Sequence, residues 1–153
     1  METKQSSSVV VLSTSESWAL LRDGVIGRLA VLVDDKPDIF PINYLVDHGS
    51  IVFRTADGTK LIASVGHRVA FEVDSYDPSS GQAWSVVVKG VAREITKLHE
   101  VLDALELPLT AWHAAAKPRI VRIEPESISG RRYEALNRPA REESRPHRRT
   151  APD

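Results

Sequence analysis

Turn-forming residues recur through the middle of this chain at intervals that leave room for strands and little else. Asp34-Asp35-Lys36-Pro37, Asp47-His48-Gly49-Ser50, Asp57-Gly58 and Asp77-Pro78-Ser79-Ser80-Gly81 divide it into short apolar segments. Residues 25–33 are strongly apolar. Residues 39–46 alternate, with Phe40, Ile42, Tyr44 and Val46 on one face and Pro41, Asn43 and Leu45 on the other. Residues 51–55 form the next segment. Val69, Phe71 and Val73 then alternate with Ala70, Glu72 and Asp74, as half-buried strands do. A long strand over 82–95 and a last one over 119–123 or slightly further complete the set. Hairpin turns between about six short strands favour an antiparallel sheet over a parallel one with helical crossovers. The expected architecture is mainly β: a six-stranded antiparallel barrel with helices packed outside.

A first helix is expected over 14–22, where Ser13 and Glu16 stand at capping-box spacing and Gly24 is placed to end it. Leu98, Val101, Leu102 and Leu105 fall at helical spacing behind Thr96, with Pro108 beyond the end. At 153 residues the chain suits one domain. We place it at 13–133, between a flexible segment over 1–12 and a disordered tail over 134–153. In that tail Arg138, Arg141, Arg145, Arg148 and Arg149 crowd with prolines and acids, without an apolar period.

The absence of cysteine excludes disulfides, thiolate nucleophiles and Cys-based metal sites. Apolar runs such as 29–33 are too short to span a bilayer, and residues 1–8 lack an apolar signal core, so a cytoplasmic protein is expected. A formal net charge of −1 gives no drive towards nucleic acid, and no aromatic residues interleave with the tail arginines.

Side-chain catalysis has little to work with. There is no dinucleotide fingerprint, P-loop, nucleophile elbow or zinc-protease helix, and the five histidines are scattered without ligand spacing. Glu72 and Asp74 share a strand face and are the one placed carboxylate pair; sharing a proton and simple solvation both fit them. The strongest local signal is Ile51-Val-Phe-Arg-Thr-Ala-Asp-Gly-Thr-Lys60. It reads as a strand, a tight turn and the start of a helix, where Thr55, Thr59 and Lys60 would add hydroxyls and an ammonium to unpaired backbone N–H groups. Such a corner suits a phosphate, although an ordinary strand–turn–helix with a solvated lysine has the same local sequence. A chain of this kind is better equipped to hold a cofactor than to perform side-chain chemistry.

Several segments, in order, resemble the FMN-binding split-barrel superfamily that includes pyridoxamine phosphate oxidase, and more closely its short actinobacterial members and the nitroimidazole-resistance reductases. They are Gly27-Arg-Leu-Ala30, Pro37-Asp-Ile-Phe-Pro-Ile-Asn-Tyr44, the 51–60 segment, Val69-Ala-Phe-Glu-Val-Asp74 and Ala83-Trp-Ser-Val-Val-Val-Lys-Gly90. The resemblance implies a split β-barrel and a homodimer with two FMN sites at the subunit interface. It implies an oxidoreductase acting on a small organic molecule. It further implies that Ile42, Asn43 and Tyr44 line the isoalloxazine edge, partly through backbone groups. Arg54 and Thr55 would follow the ribityl-phosphate path, Thr59 and Lys60 would grip the phosphate, and Trp84 and Ser85 would approach the ring from the other subunit. Protons would come from Tyr44, water or solvent.

The ending departs from the pyridoxamine phosphate oxidases. Val121-Arg-Ile-Glu-Pro125 and Ser129-Gly-Arg-Arg-Tyr133 stand where those enzymes carry an Arg-Leu-x-Pro segment, so vitamin B6 oxidation does not carry over. Arg54 stands where the nitroimidazole reductases often have histidine. Two alternatives stay open: a deazaflavin reductase, favoured by extra basic groups such as Arg28, Arg54 or Arg131, and a non-catalytic flavin or haem carrier or sensor. Haem would need an axial ligand such as His48 or His67.

Overall fold

The computed structural model describes residues 9–56, 60–97, 100 and 118–135; the side chains of Lys60 and Pro118 lie outside that description. Its elements in chain order are β1 (Val10–Leu12), α1 (Thr14–Asp23), β2 (Ile26–Val33), β3 (Lys36–Asn43), β4 (Leu45–Asp47), β5 (Ser50–Ala56), a 3-10 turn (Lys60–Ser64), β6 (Arg68–Tyr76), β7 (Gln82–Glu94) and β8 (Pro118–Glu134). All strand pairs are antiparallel. They form one eight-stranded sheet in the order β3-β2-β6-β7-β8-β5-β4, with β1 added beside β8. The sheet curls into a split barrel, as expected.

Helix α1 begins as the sequence predicts. Ser13 Oγ accepts from the Glu16 N–H at 3.1 Å, and the Glu16 carboxylate accepts from Ser13 Oγ at 3.0 Å. The helix ends at Gly24, as the sequence also predicts, where the Gly24 N–H bonds Leu21 O at 3.2 Å. Gly24 is extended (φ −82°, ψ 160°), and space explains it, since a Cβ there would stand 2.1 Å from Tyr44 Oη. Gly27 plays the same part for Phe71, whose Cζ lies 2.2 Å from where a Cβ would be.

The core fills the inside of the curl with Leu29, Val31, Ile51, Phe53, Phe71, Val86, Val88, Val121 and Ile123, all buried. Full burial of a side chain such as Phe53 or Phe71 contributes about 1.5–3 kcal/mol. A smaller cluster of Val52, Ile95 and Ile120 packs with Leu45 on the other face.

Tyr44 turns the corner of the barrel. The strand expected over 39–46 is broken there into β3 and β4, so Pro37 belongs to a strand instead of a turn, and Val46 to β4. The Tyr44 N–H bonds Val25 O at 3.1 Å, its hydroxyl donates to Leu21 O at 2.6 Å, and its ring meets Phe71 edge-on at 4.8 Å.

Three further expectations change. Residues 10–12, placed in a flexible segment, form β1 against Gly130, Arg131 and Arg132. The last strand runs to Glu134 past a bulge at Glu126: Lys89 pairs with Ser127 but Gly90 with Pro125. The expected helix after Asp57-Gly58 is a 3-10 turn of five residues, too short to sum backbone dipoles into a useful charge. The helix expected around Leu98–Leu105, Thr59 and the tail beyond 135 lie outside the described residues.

The β3 edge is closed to strand pairing. The β2–β3 hairpin has a two-residue turn at Asp34 and Asp35, both with positive φ, so Val33 and Lys36 form the first hydrogen-bonded pair. By alternation, the N–H positions of residues 37, 39, 41 and 43 face away from β2. Two of the four are prolines, and the Ile39 N–H is taken by Asp38 Oδ1 at 2.9 Å. Prolines on an edge block the pairing of a second sheet.

Two outcomes are expected. Tyr44→Phe keeps the ring packing but leaves the Leu21 carbonyl with the Gly24 N–H as its remaining donor, and should lower unfolding free energy by about 0.5–1.5 kcal/mol in denaturant titration. Replacing Pro37 and Pro41 together by valine should leave the melting temperature nearly unchanged while raising self-association, measured by light scattering.

Candidate functional site

The residues singled out by the sequence divide between the two faces of the sheet. Ile42 and Tyr44 are buried in the core, Thr55 is buried beside Phe53 in alternation, and Trp84 packs against the core from the end of β7. Asn43, Arg54 and Ser85 leave their strands on the opposite, outer face. Arg54 and Thr55 therefore project from opposite sides of β5, and their side chains do not run along one path. Lys60 opens the 3-10 turn, and Thr59 lies outside the described residues.

Tyr44 is spoken for within the chain. Its hydroxyl is held by Leu21 O, and burial, followed by the nearby Asp23 charge, pushes its pKa up to about 12. It does not serve as a proton source. What it does is fix the residue before it. Asn43 ends β3 at the edge, and it is the one outward-facing position of that strand that is neither proline nor capped by a neighbouring carboxylate. Its backbone N–H and side-chain amide thus offer two donors and an acceptor at one point.

From Asn43 the outer face can be followed across the register. Asn43 pairs with Ile26, and Arg28, two residues on, pairs with Glu72; Asp74 pairs with Ser85, which pairs with Arg131. Arg28 Nη1 lies 3.3 Å from Glu72 Oε2 and 3.2 Å from Asp74 Oδ2, so one guanidinium nitrogen serves two carboxylates. Burial, then the hydrogen bond and charge of Asp74, push Glu72 up to about 6 against the pull of Arg28. In the next row Ala30 pairs with Ala70, and these small residues floor a groove of about 410 Å³ edged by Leu32, Pro37 and Lys89.

Sequence reasoning found the two carboxylates but not Arg28, which joins them only through the β2–β6 register. It also missed a group that pins the β4–β5 hairpin. Arg122 donates to Asp47 O at 3.2 Å, to Asp47 Oδ2 at 3.1 Å and to Ser50 Oγ. Against the effect of burial, hydrogen bonds from His48 and Arg122 hold the Asp47 carboxyl below the usual carboxylate range. No signal in the sequence links residues 47 and 122. His48 and His67, the candidate haem ligands, both stand exposed in turns, and His48 Nδ1 lies 2.9 Å from Asp47 Oδ1. Among the described residues, no group of three or more His, Asp or Glu is arranged to hold a metal ion.

Comparison with known proteins agrees with the fold. The pyridoxamine 5′-phosphate oxidase family matches residues 13–132. The protein Rv0080 of Mycobacterium tuberculosis is 35% identical over 136 residues, covering 85% of this chain and 89% of its own length. The FAD binding protein from Mycobacterium smegmatis is 40% identical, with a TM-score of 0.75 over 82% of this chain and 98% of that one. A FAD-binding protein from Mesorhizobium loti, 26% identical, has a TM-score of 0.64 over 81% of this chain and 97% of that one. On this match, which spans most of its length, the chain belongs to the pyridoxamine 5′-phosphate oxidase family of split β-barrels.

Proposed function

We propose that this chain binds a flavin nucleotide and works as a flavin-dependent oxidoreductase on a small organic substrate. The observation that carries the reading is Asn43. A flavin ring ends in a rim of carbonyl and imino acceptors around one N–H donor, and the edge at Asn43 offers the complementary donors and acceptor on an otherwise sealed strand. A flavin held there supplies two-electron chemistry; the chain's own residues bind it, orient it and exclude water. Two relatives that bind FAD support a flavin, and FMN, the half common to both nucleotides, is the part the site is proposed to hold.

In this reading Ile42 and Tyr44 support the ring edge from beneath, Asn43 meets its rim, and Ser85 approaches from the far side, with Trp84 behind it on the core face of β7. Thr59 and Lys60 take the phosphate with their side chains, Arg54 adds positive charge from the outer face of β5, and Thr55, whose side chain turns inward, borders the path through its backbone. A deazaflavin, with its longer anionic tail, draws less support. Arg28, which would have favoured it, is already held by Glu72 and Asp74. Haem draws none from the two exposed histidines.

We further propose a homodimer that meets through this outer face. Ile26, Leu32 and Ile39 are more than half exposed on the same side as Asn43, and a second copy would cover them. Among the described residues no helix is long and apolar enough to cross a membrane. We assign the protein to the cytoplasm, with no nucleic-acid or membrane partner.

Lys60→Ala should weaken FMN binding by about 1.5–3 kcal/mol, roughly 10- to 150-fold, in a fluorescence titration of the stripped protein, without lowering its melting temperature. Unchanged affinity would remove the phosphate corner from the site. Parallel titrations with FAD and a deazaflavin decide the cofactor, and binding of none sinks the flavin reading. Ile39→Glu should shift a dimer towards monomer in size-exclusion chromatography with light scattering; a monomeric parent protein would refute the dimer.

A further inference from the structure

We infer that Arg28, Glu72 and Asp74 are the proton-holding part of the flavin face, and that loading of a flavin nucleotide is linked to uptake of one proton by the Glu72–Asp74 pair. The inference rests on the proposed flavin site and assigns it a regulation. The strand order β3-β2-β6-β7 sets the three residues between Asn43 and Ser85, on the same side of the sheet. The groove floored by Ala30 and Ala70 begins one row away. A ligand lying from Asn43 to Ser85 passes over the triad.

The geometry sets up a shared proton. Both carboxylates reach for the same Arg28 nitrogen, which leaves Glu72 Oε1 shut from solvent with no hydrogen-bond partner among the described residues. An oxygen that is dry and unbonded favours the protonated acid, and a second carboxylate beside it does the same. The surroundings supply little to oppose this. On β3, Pro41 faces Arg28; on β7, Val87 faces Glu72 and Ser85 faces Asp74. The nearest further charges on this side are Lys89, two residues beyond Val87; Arg131 on β8, opposite Ser85; and Arg68, four residues before Glu72 on β6, whose charge is paired with Glu126 at 3.1 Å.

With both carboxylates ionised the triad carries a net negative charge; with one proton it is neutral and gains an O–H donor. A flavin nucleotide brings an anionic phosphate and a rim of acceptor oxygens, so it favours the neutral form. Proton uptake on binding follows by linkage.

The test is the pH dependence of FMN and FAD binding to the full chain between pH 5 and 8, for the parent protein, Glu72→Gln and Asp74→Asn. Parent affinity should fall as pH rises through about 6, by up to about tenfold for each unit that binding raises the pair. Glu72→Gln, always neutral, should bind at the parent's low-pH strength throughout; Asp74→Asn should also flatten the profile. A second readout needs no flavin. The folded pair holds its proton to a higher pH than an unfolded glutamate does, so native stability should fall as pH rises from about 4.5 to about 6. The melting temperature of the stripped parent, relative to Glu72→Gln, should fall over that window.

A parent profile that is flat while flavin binds overturns the inference and leaves the flavin site standing. So does a Glu72→Gln profile that tracks the parent, or a melting difference that ignores pH. Failure of both nucleotides to bind at any pH sinks the flavin site and the linkage together.

Discussion

The hydrogen bond from the Tyr44 hydroxyl to the Leu21 carbonyl holds the rest of the structure in place. The sheet path begins at β3 and ends at β4, yet these strands are consecutive in the chain and separated by Tyr44 alone. Tyr44 therefore sets how tightly the sheet curls back on itself. The same bond anchors the end of α1, and the ring that carries it packs edge-on against Phe71. Gly24 and Gly27 are small because the Tyr44 hydroxyl and the Phe71 ring occupy the space their side chains would need. Buried this deeply, the Tyr44 hydroxyl has no water to take the place of the Leu21 carbonyl, which the Gly24 N–H also bonds at 3.2 Å.

That constraint reaches the functional face through one residue. A rigid corner at Tyr44 leaves Asn43 little freedom, while the two prolines upstream keep the same edge from joining another sheet. The Pro-x-x-x-Pro-x-Asn-Tyr motif thus has a division of labour. Its prolines silence an edge, its tyrosine locks the corner, and its asparagine is left as the position where the proposed flavin would meet the edge.

Much of the fold was legible in the sequence because half-buried strands print their faces as alternation. Val69, Phe71 and Val73 lie inside as read, and turns at residues 34–35, 48–49 and 77–81 lie where Asp, Gly and Pro cluster. What escaped was set by tertiary contact. Nothing local says that Gly24 is small for the sake of Tyr44, or that the strand must break at residue 44. The extension of β8 was hidden by Pro125 and by the bulge beside it, which disrupts the alternation a reader follows. At the site, residue types were legible but their faces were not: Arg54 and Thr55 are neighbours in sequence and opposites in space. Arg28 joins Glu72 across a register that no spacing rule supplies, and Arg122 joins Asp47 in the same way.

The extra residue at Glu126 acts as a phase switch for the longest strand. Before it, Val121 and Ile123 face inward; after it, Ile128 does. The two halves of β8 are thus written in opposite phase, and a single residue lost or gained near 126 would exchange the inner and outer sets from Ser127 to Glu134. Ile128 would turn to solvent and Arg131 to the core, with no change in composition. In this chain the number of residues around the bulge, more than their identity, decides which face of the second half of β8 points inward.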